Sequence, residues 1–120
     1  MEHKIWYDEK DKILHQKIIG PYTTNESLES GKLYIENLEG KPIRQMIVDL
    51  TIAGKMESRD TRSITNEQLN LAQVADVCFV GANATTRMIA KVLMKLGSLK
   101  ANSNFVGTVD DAVEWIKNRR

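Results

Sequence analysis

Cysteine, histidine and long apolar runs are all scarce in this sequence. One cysteine and two histidines among 120 residues exclude a disulfide framework and leave too few ligands for the usual zinc sites. No stretch approaches the roughly 18 apolar residues of a membrane span, and the opening MEHKIWYDEK lacks the apolar core of a signal peptide. We therefore expect a cytoplasmic protein that has no membrane span, metal or cofactor.

An excess of one charge is missing as well. The 17 basic and 16 acidic residues give a formal net charge of +1, and the two signs alternate along the whole chain. This pattern offers no basic surface for a nucleic acid. Hydrophobic residues make up 42% and charged residues 28%, which is ordinary globular composition. We expect residues 1–120 to form a single domain.

The usual catalytic groupings are also missing. His3 and His15 both fall near the N-terminus, within a predicted hairpin, so no serine, histidine and aspartate triad can be assembled with the later loops. Cys78 lies in the apolar run VCFV, which is typical of a small buried thiol rather than a nucleophile. The sequence thus predicts a protein that is not an enzyme.

Strand and helix patterns alternate along most of the chain. Residues 3–8 and 12–19 are rich in β-branched and aromatic residues and predict a β-hairpin. Neither face of its second strand is cleanly polar, because Gln16 alternates with Leu14 and Ile18 on one side, and the other side carries Ile13, His15, Lys17 and Ile19. Gly20-Pro21 then ends the hairpin. The consecutive apolar residues of QMIVDL (45–50) predict a central strand that is covered on both faces. The order ββαβαβαβα predicts an α/β fold with four helices and a mostly parallel mixed sheet, with the hairpin at one edge.

Apolar spacing predicts which face of each helix is buried. In the first helix, Gly31 would cost about 1 kcal/mol relative to alanine, so we expect close approach to a neighbouring element there. A helix cap is expected at Thr23, Thr24 or Asn25. The third helix is expected to end at Gly97. The predicted inner faces are Leu28, Gly31, Ile35 and Leu38; Ile64, Gln68, Leu71, Ala72 and Ala75; and Met88, Ile89, Val92, Leu93 and Leu96.

Three loops follow the carboxyl ends of the predicted parallel strands, where ligands and partners of open α/β sheets usually bind. They comprise residues 51–60, 81–87 and 107–110. The loop GANATTR (81–87) has two interpretations: an anion site at a helix N-terminus, or a turn capped by Asn83. The candidate binding residues in and beside the first two loops are Asp49, Thr51, Lys55, Glu57, Asn83, Thr85, Thr86 and Arg87.

Three motifs occur in a familiar order: IVDLTIAGKMES, VCFVGAN with RMIAK, and DDAVEWI. In this respect the sequence resembles the STAS domain of anti-sigma-factor antagonists, and most closely the SpoIIAA-like (STAS/SEC14-like) family. The resemblance implies a non-catalytic regulatory module that binds a protein, such as a serine-kinase anti-sigma factor. It also leaves open an apolar or lipid-like ligand.

The resemblance selects Ser58 as a candidate for phosphorylation. In signalling STAS domains an aspartate closes the central strand and a D-S-S-G element follows, and here Asp49 and the pair Glu57-Ser58 occupy those positions. Arg59 and Asp60 replace the second serine and the glycine. The alternative role for Ser58 is a helix cap, with Thr61 or Ser63 as rivals.

Two functional hypotheses follow. The first is a regulatory module that binds a partner through residues 51–60 and the following helix, with Ser58 as its switch. The second is a binding protein for an anionic or lipid-like small molecule, held between loops 51–60 and 81–87 with Arg87 and Lys55 at its head group. The exposed edge of the hairpin also predicts a homodimer.

Overall fold

The computed structural model describes residues 2–95 and 99–120, apart from the side chain of Arg59. Within these residues the chain forms seven strands and four helices. In order they are β1 (Lys4–Asp8), β2 (Ile13–Lys17), β3 (Gly20–Tyr22), α1 (Thr24–Leu38), β4 (Gln45–Asp49), β5 (Ala53–Met56), α2 (Arg59–Leu71), β6 (Asp76–Val80), α3 (Ala84–Lys95), β7 (Asn102–Val106) and α4 (Val109–Asn118).

The main sheet has five strands in the order β1-β2-β4-β6-β7. Only β1 and β2 pair antiparallel, and the other neighbours are parallel. The strand predicted to be central is β4, and it lies in the middle of the sheet with Gln45 to Val48 buried. The predicted mostly parallel α/β fold, with an N-terminal hairpin and four helices, is confirmed.

Two short strands were missed by the sequence prediction. β3 and β5 pair in parallel as a second sheet. At β3 we expected Gly20-Pro21 to end the hairpin, and at β5 we expected part of loop 51–60. The two backbones lie so close that a Cβ on Gly54 would be 2.8 Å from the carbonyl carbon of Gly20 and from the nitrogen of Pro21. Three- and four-residue strands give too little periodicity to be recognised without their distant partner. Their pairing fixes residues 53–56 against the body of the protein.

The helices cover the two faces of the main sheet unequally. The larger apolar core holds Tyr34 of α1, Leu69 of α2 and Leu93 of α3, packed with Phe79 of the sheet. The smaller core lies on the other face beneath α4 alone. Cys78 is buried there as predicted, and burial raises the pKa of its thiol to about 12. The members of the smaller core that are buried are Ile13, Ile47, Cys78, Val80, Ala112 and Ile116.

The predicted inner face of α1 was partly wrong. Thr23 caps the helix as expected, but Leu28 and Ile35 are 43% and 48% exposed. The buried face instead carries Ser27, Ser30, Gly31, Tyr34 and Leu38.

The inner face predicted for α2 was also wrong in part. Leu71 is 60% exposed, whereas Thr61 and Thr65 are buried. The hydroxyl of Thr65 lies 2.9 Å from that of Ser27 on α1. The two helices therefore meet through small hydroxyl-bearing residues, and a search for apolar periodicity cannot detect such a face.

Helix α3 differs from the prediction at Met88, which is 67% exposed, while Leu93 is buried as expected. Its buried residues are Thr86, Ala90 and Leu93. The predicted continuation through Leu96 to a cap at Gly97 lies outside the described residues.

The C-terminal end of α4 contacts the turn between β1 and β2. The ammonium group of Lys117 lies 2.7 Å from the carboxylate of Asp11, and the Arg120 guanidinium donates to the backbone carbonyls of Asp11 and Lys12. Arg119 donates a 2.6 Å hydrogen bond to Asp76 at the start of β6. These contacts tie the last turn of α4 to both the hairpin and the central part of the sheet.

Candidate functional site

A groove lies between the short strand β5 and the exposed side of α3, with one turn of α2 at its edge. We call it the β5–α3 groove. Its volume is about 450 Å³, within the range of about 300–1,000 Å³ that is typical of small-molecule sites. It is built from segments that follow β4 and β6, as the rule for parallel sheets predicts. Its lining residues are Gly54, Lys55, Met56, Arg62, Thr85, Met88, Ile89 and Val92.

The wall of the groove is apolar and adaptable. Met56 from β5 is buried, Ile89 and Val92 of α3 are half-buried, and Met88 is largely exposed. Methionine side chains are flexible and polarisable, so they can follow the shape of different ligands. Met88 was predicted to face the core, but it lies on the groove instead.

Two cations line the groove, Lys55 from β5 and Arg62 from α2. Lys55 is exposed and lies in reach of solvent. The Nε of Arg62 is buried and makes no hydrogen bond within the described part of the chain. No aspartate or glutamate is found among the described lining residues, so the local charge of the groove is positive.

Among the predicted binding residues, Lys55 and Thr85 line this groove. Asp49 is the last residue of β4, and Thr51 lies in the turn that follows it. One carboxylate oxygen of Asp49 accepts hydrogen bonds from the Thr51 backbone N–H at 2.9 Å and from the Thr51 hydroxyl. This is a local turn that directs the chain from β4 into β5.

Asn83 and Thr86 form the start of α3. The Asn83 side-chain oxygen accepts from the Thr86 backbone N–H at 2.9 Å, and the Thr86 hydroxyl donates to the Asn83 carbonyl at 3.0 Å. A Cβ on Gly81 would lie 2.2 Å from the Thr86 hydroxyl, so the turn is tightly packed. These contacts support the interpretation of GANATTR as a capped turn. Arg87 is exposed and is not part of the groove lining.

Ser58 is the N-cap of α2. Its hydroxyl accepts from the Thr61 backbone N–H at 3.3 Å and lies 3.4 Å from the Thr61 hydroxyl, which in turn is 2.8 Å from the hydroxyl of Thr24. Glu57 is exposed, and its carboxylate is 3.5 Å from the backbone N–H of Thr24. The N-termini of α1 and α2 therefore lie side by side, with Ser58 at their junction and one helical turn from Arg62.

The two histidines have structural contacts away from the groove lining. His15 stacks on Trp6 with ring centroids 5.0 Å apart, and burial lowers the pKa of its imidazole. His3 is buried, accepts a hydrogen bond from the Ile19 backbone N–H at 2.9 Å and lies 3.0 Å from the Glu26 carboxylate. The sequence placed both histidines in the predicted hairpin, and it did not reveal the packing of His3.

The described residues, 2–95 and 99–120, contain no cluster of three or more histidine, cysteine, aspartate or glutamate side chains arranged to hold a metal ion. None of their helices is both long enough and apolar enough to cross a membrane.

Four of the residues that form the groove lie outside the three predicted loops. Met88, Ile89 and Val92 carry a helical apolar signal, but that signal was assigned to the core. Arg62 was not singled out because it follows Ser58 in a charged segment that has no motif. One indication of the groove was present in the sequence: the apolar residues of α3 cover a wider side of the helix than packing against the core requires.

The structure was compared with known proteins. No protein-family model matches the sequence, and no curated protein is significantly similar to it. A solved structure from Shewanella loihica, of an uncharacterised DUF3478-family protein with a SpoIIAA-like fold, matches with a TM-score of 0.69 over 95% of this chain and 91% of that chain, at 16% identity. The chain has the SpoIIAA-like fold. The anti-sigma factor antagonist SpoIIAA in its unphosphorylated form also matches, with a TM-score of 0.63 over 96% of this chain and 97% of that one, at 8% identity.

Proposed function

We propose that this chain is a non-catalytic regulatory module of the cytoplasm that binds a protein partner. The binding surface comprises β5, the N-terminus of α2 and the start of α3, and phosphorylation of Ser58 controls it. The observation that carries the proposal is the position of Ser58, which caps α2 one turn away from the groove. The SpoIIAA-like fold supports it, because an anti-sigma factor antagonist has the same architecture. The proposed partner is accordingly a serine kinase of the anti-sigma-factor class.

A phosphate on Ser58 would be stabilised by the N-terminus of α2 and would also change how the binding surface meets its partner. Free backbone N–H groups and the helix dipole favour negative charge at the N-terminus of α2. A phosphoserine adds close to two negative charges at neutral pH. A partner that docks on the positively charged groove would lose affinity, because the new charges neutralise Lys55 and Arg62 and must be desolvated on binding.

The switch is tested by two replacements of Ser58 that differ mainly in charge. Both Ser58→Asp and Ser58→Asn retain a good N-cap, so they should match in stability. We expect a partner captured from the native cytosol to bind Ser58→Asn as it binds the wild type, and Ser58→Asp about tenfold more weakly, measured by calorimetry. In the presence of ATP, the captured kinase should add one phosphate to the wild type, at Ser58. Equal binding of the two variants would reject the switch.

A second candidate function is the binding of a small anionic or lipid-like molecule. The β5–α3 groove favours it, because its volume, its apolar wall and its cations are those of a ligand site. A thermal-shift screen of nucleotides and lipids tests this function. A stabilising ligand whose effect is lost in Met88→Asp would support it, and a screen without any stabilising compound would count against it.

A further inference from the structure

We propose that the β5–α3 groove binds an aliphatic carboxylate, with its chain along α3 and its head group at Arg62. This inference rests on the second proposed function and names the ligand class. It follows from three properties of the groove: an apolar wall formed by one side of a helix, a half-buried arginine whose Nε has no hydrogen-bond partner in the described residues, and the lack of an aromatic surface among its described lining residues.

The apolar wall suits an extended chain. Met88, Ile89 and Val92 lie within two turns of α3, and Met56 of β5 is also part of the lining. Side chains spaced three and four residues apart lie on one side of a helix, so they form a continuous strip. An alkyl chain laid along this strip would remove apolar surface of both partners from water, which is the main driving force for such binding.

Arg62 differs from Arg44, Arg119 and Arg120, whose guanidinium groups have hydrogen-bond partners. Arg44 donates to the carbonyls of Lys41 and Ala72, and Arg119 and Arg120 each bond a side chain at the opposite end of the sheet. The Nε of Arg62 is buried and has no hydrogen-bond partner in the described residues. Burying an N–H donor without an acceptor is unfavourable, so a small rotation of the Arg62 side chain that lets a ligand in the groove accept from this N–H would relieve the cost.

A carboxylate is the head group that fits this cation best. It is planar and can accept two parallel hydrogen bonds from a guanidinium. Lys55 is exposed at the side of the groove and adds a second positive charge near solvent. The described lining has no carboxylate of its own to compete for these donors.

A nucleotide fits less well than an aliphatic chain. Nucleobases usually stack on aromatic side chains or pair with several polar groups, and no described residue that lines the groove is aromatic. Thr85 is the only hydroxyl-bearing residue in the described lining. The groove therefore has few groups that could recognise the edge of a base.

The experiment measures binding by calorimetry of octanoate, decanoate and dodecanoate below their micelle-forming concentrations, with decanol as a neutral ligand of matched chain length. We expect decanoate to bind at least tenfold more tightly than decanol. Affinity should increase by up to about fourfold per added methylene until the groove is filled.

Three variants locate the site. Arg62→Gln should weaken decanoate about tenfold and leave decanol unchanged. Met88→Asp should abolish binding of both ligands. Lys91→Gln removes an exposed cation of α3 that is outside the lining, and should change neither. Circular dichroism and the urea midpoint confirm that each variant is folded.

The possible failures are distinguishable. If decanol binds as tightly as decanoate, the groove is a ligand site but the carboxylate assignment is wrong. If neither binds, the assignment to an aliphatic carboxylate is rejected, and the thermal-shift screen then decides whether the ligand-binding function is rejected with it. If neither binds and the wild type sediments as a dimer that Met88→Asp dissociates, the occupant of the groove is a second copy of the chain, which also overturns the inference.

Discussion

Single residues set how closely α1 and α2 approach each other. A Cβ on Gly31 would lie 1.9 Å from Oε1 of Gln68, so the glycine is the point of contact with α2. The sequence alone predicted that Gly31 marks a close approach, because a glycine inside a helix is costly unless it allows packing. It could not identify Gln68 as the neighbour, since the two residues are brought together only by the fold.

This contact predicts a non-additive pair of substitutions. Gly31→Ala should destabilise the protein by about 1 kcal/mol, because displacement of Gln68 outweighs the gain in helix propensity. In a Gln68→Ala background the same substitution should stabilise by up to about 1 kcal/mol, because the obstructing side chain is absent. Urea unfolding of the four proteins measures the cycle, and additive effects would show that the contact is not close.

Asp76 makes stability depend on pH. Its burial alone would raise the pKa of the carboxyl, but hydrogen bonds from Arg119, Gln45 and Asn102 outweigh burial and lower the pKa below 3.8. A group with a lowered folded-state pKa contributes stability above its unfolded-state pKa, and that stability is lost as the pH falls through the folded-state value. We therefore expect the contribution of Asp76 to be complete at neutral pH and to disappear only in strong acid.

Arg119→Met tests this arrangement. With its main donor removed, burial dominates the pKa of Asp76, so acid unfolding should begin at higher pH. Stability at neutral pH should fall by about 1–2 kcal/mol, since Arg119 is partly exposed and its ion pair is screened. The double variant with Asp76→Asn serves as control and should lose this pH dependence; if it unfolds with the same pH profile as Arg119→Met, another carboxylate is responsible.

At the scale of elements, β5 is the segment that connects the central strand to the candidate site. It could not be predicted, because its parallel partner β3 is more than 30 residues earlier in the chain and neither segment has an alternating pattern. The start of α3 was easier to predict, since asparagine is a common N-cap residue and the sequence allowed only two interpretations of residues 81–87. The faces of α1 and α2 were misjudged because hydroxyl groups on the two helices bond each other, Ser27 with Thr65 and Thr24 with Thr61.

Gly54→Ala tests the role of β5. The added methyl group would contact the backbone of Gly20 and Pro21, which cannot rotate away as a side chain could. We expect a loss of about 1–3 kcal/mol in unfolding free energy and weaker binding of any ligand of the groove. Gly107→Ala is the matched control, because a Cβ there meets nothing within 4 Å and should change stability by less than about 0.5 kcal/mol.

At the scale of the whole molecule, the sheet has two edges, β1 and β7. The homodimer predicted from the hairpin would add a strand to β1 and hydrogen-bond its free backbone groups. We expect amide hydrogens of residues 4–8 to exchange more slowly as protein concentration rises, while those of residues 102–106 do not change. Sedimentation as a monomer at high concentration, with no such protection, would contradict the dimer.

The overall arrangement was more predictable than the site. Consecutive apolar residues in MIVDL and VCFV show that β4 and β6 are covered on both faces, and strand-helix alternation then restricts the topology. Gln16 shows the limit of this approach: its side chain is buried and hydrogen-bonded to Tyr22, Ser30 and Tyr34. Such a network depends on partners from two elements, so a single polar residue in a strand pattern does not reveal it.

The contacts between α4 and the hairpin turn can form only near the end of synthesis, because they join the first and the last parts of the chain. Asp11 and Lys117 are 106 residues apart, so at about 5–20 residues per second the ribosome needs roughly 5 to 20 s to make the segment between them. During that interval α4 does not yet cover the hairpin turn or the face of β4 that belongs to the smaller core. A nascent chain stalled before residue 117 should therefore expose Ile13 and Ile47 to chaperones, and release of the last turn of α4 would end that exposure.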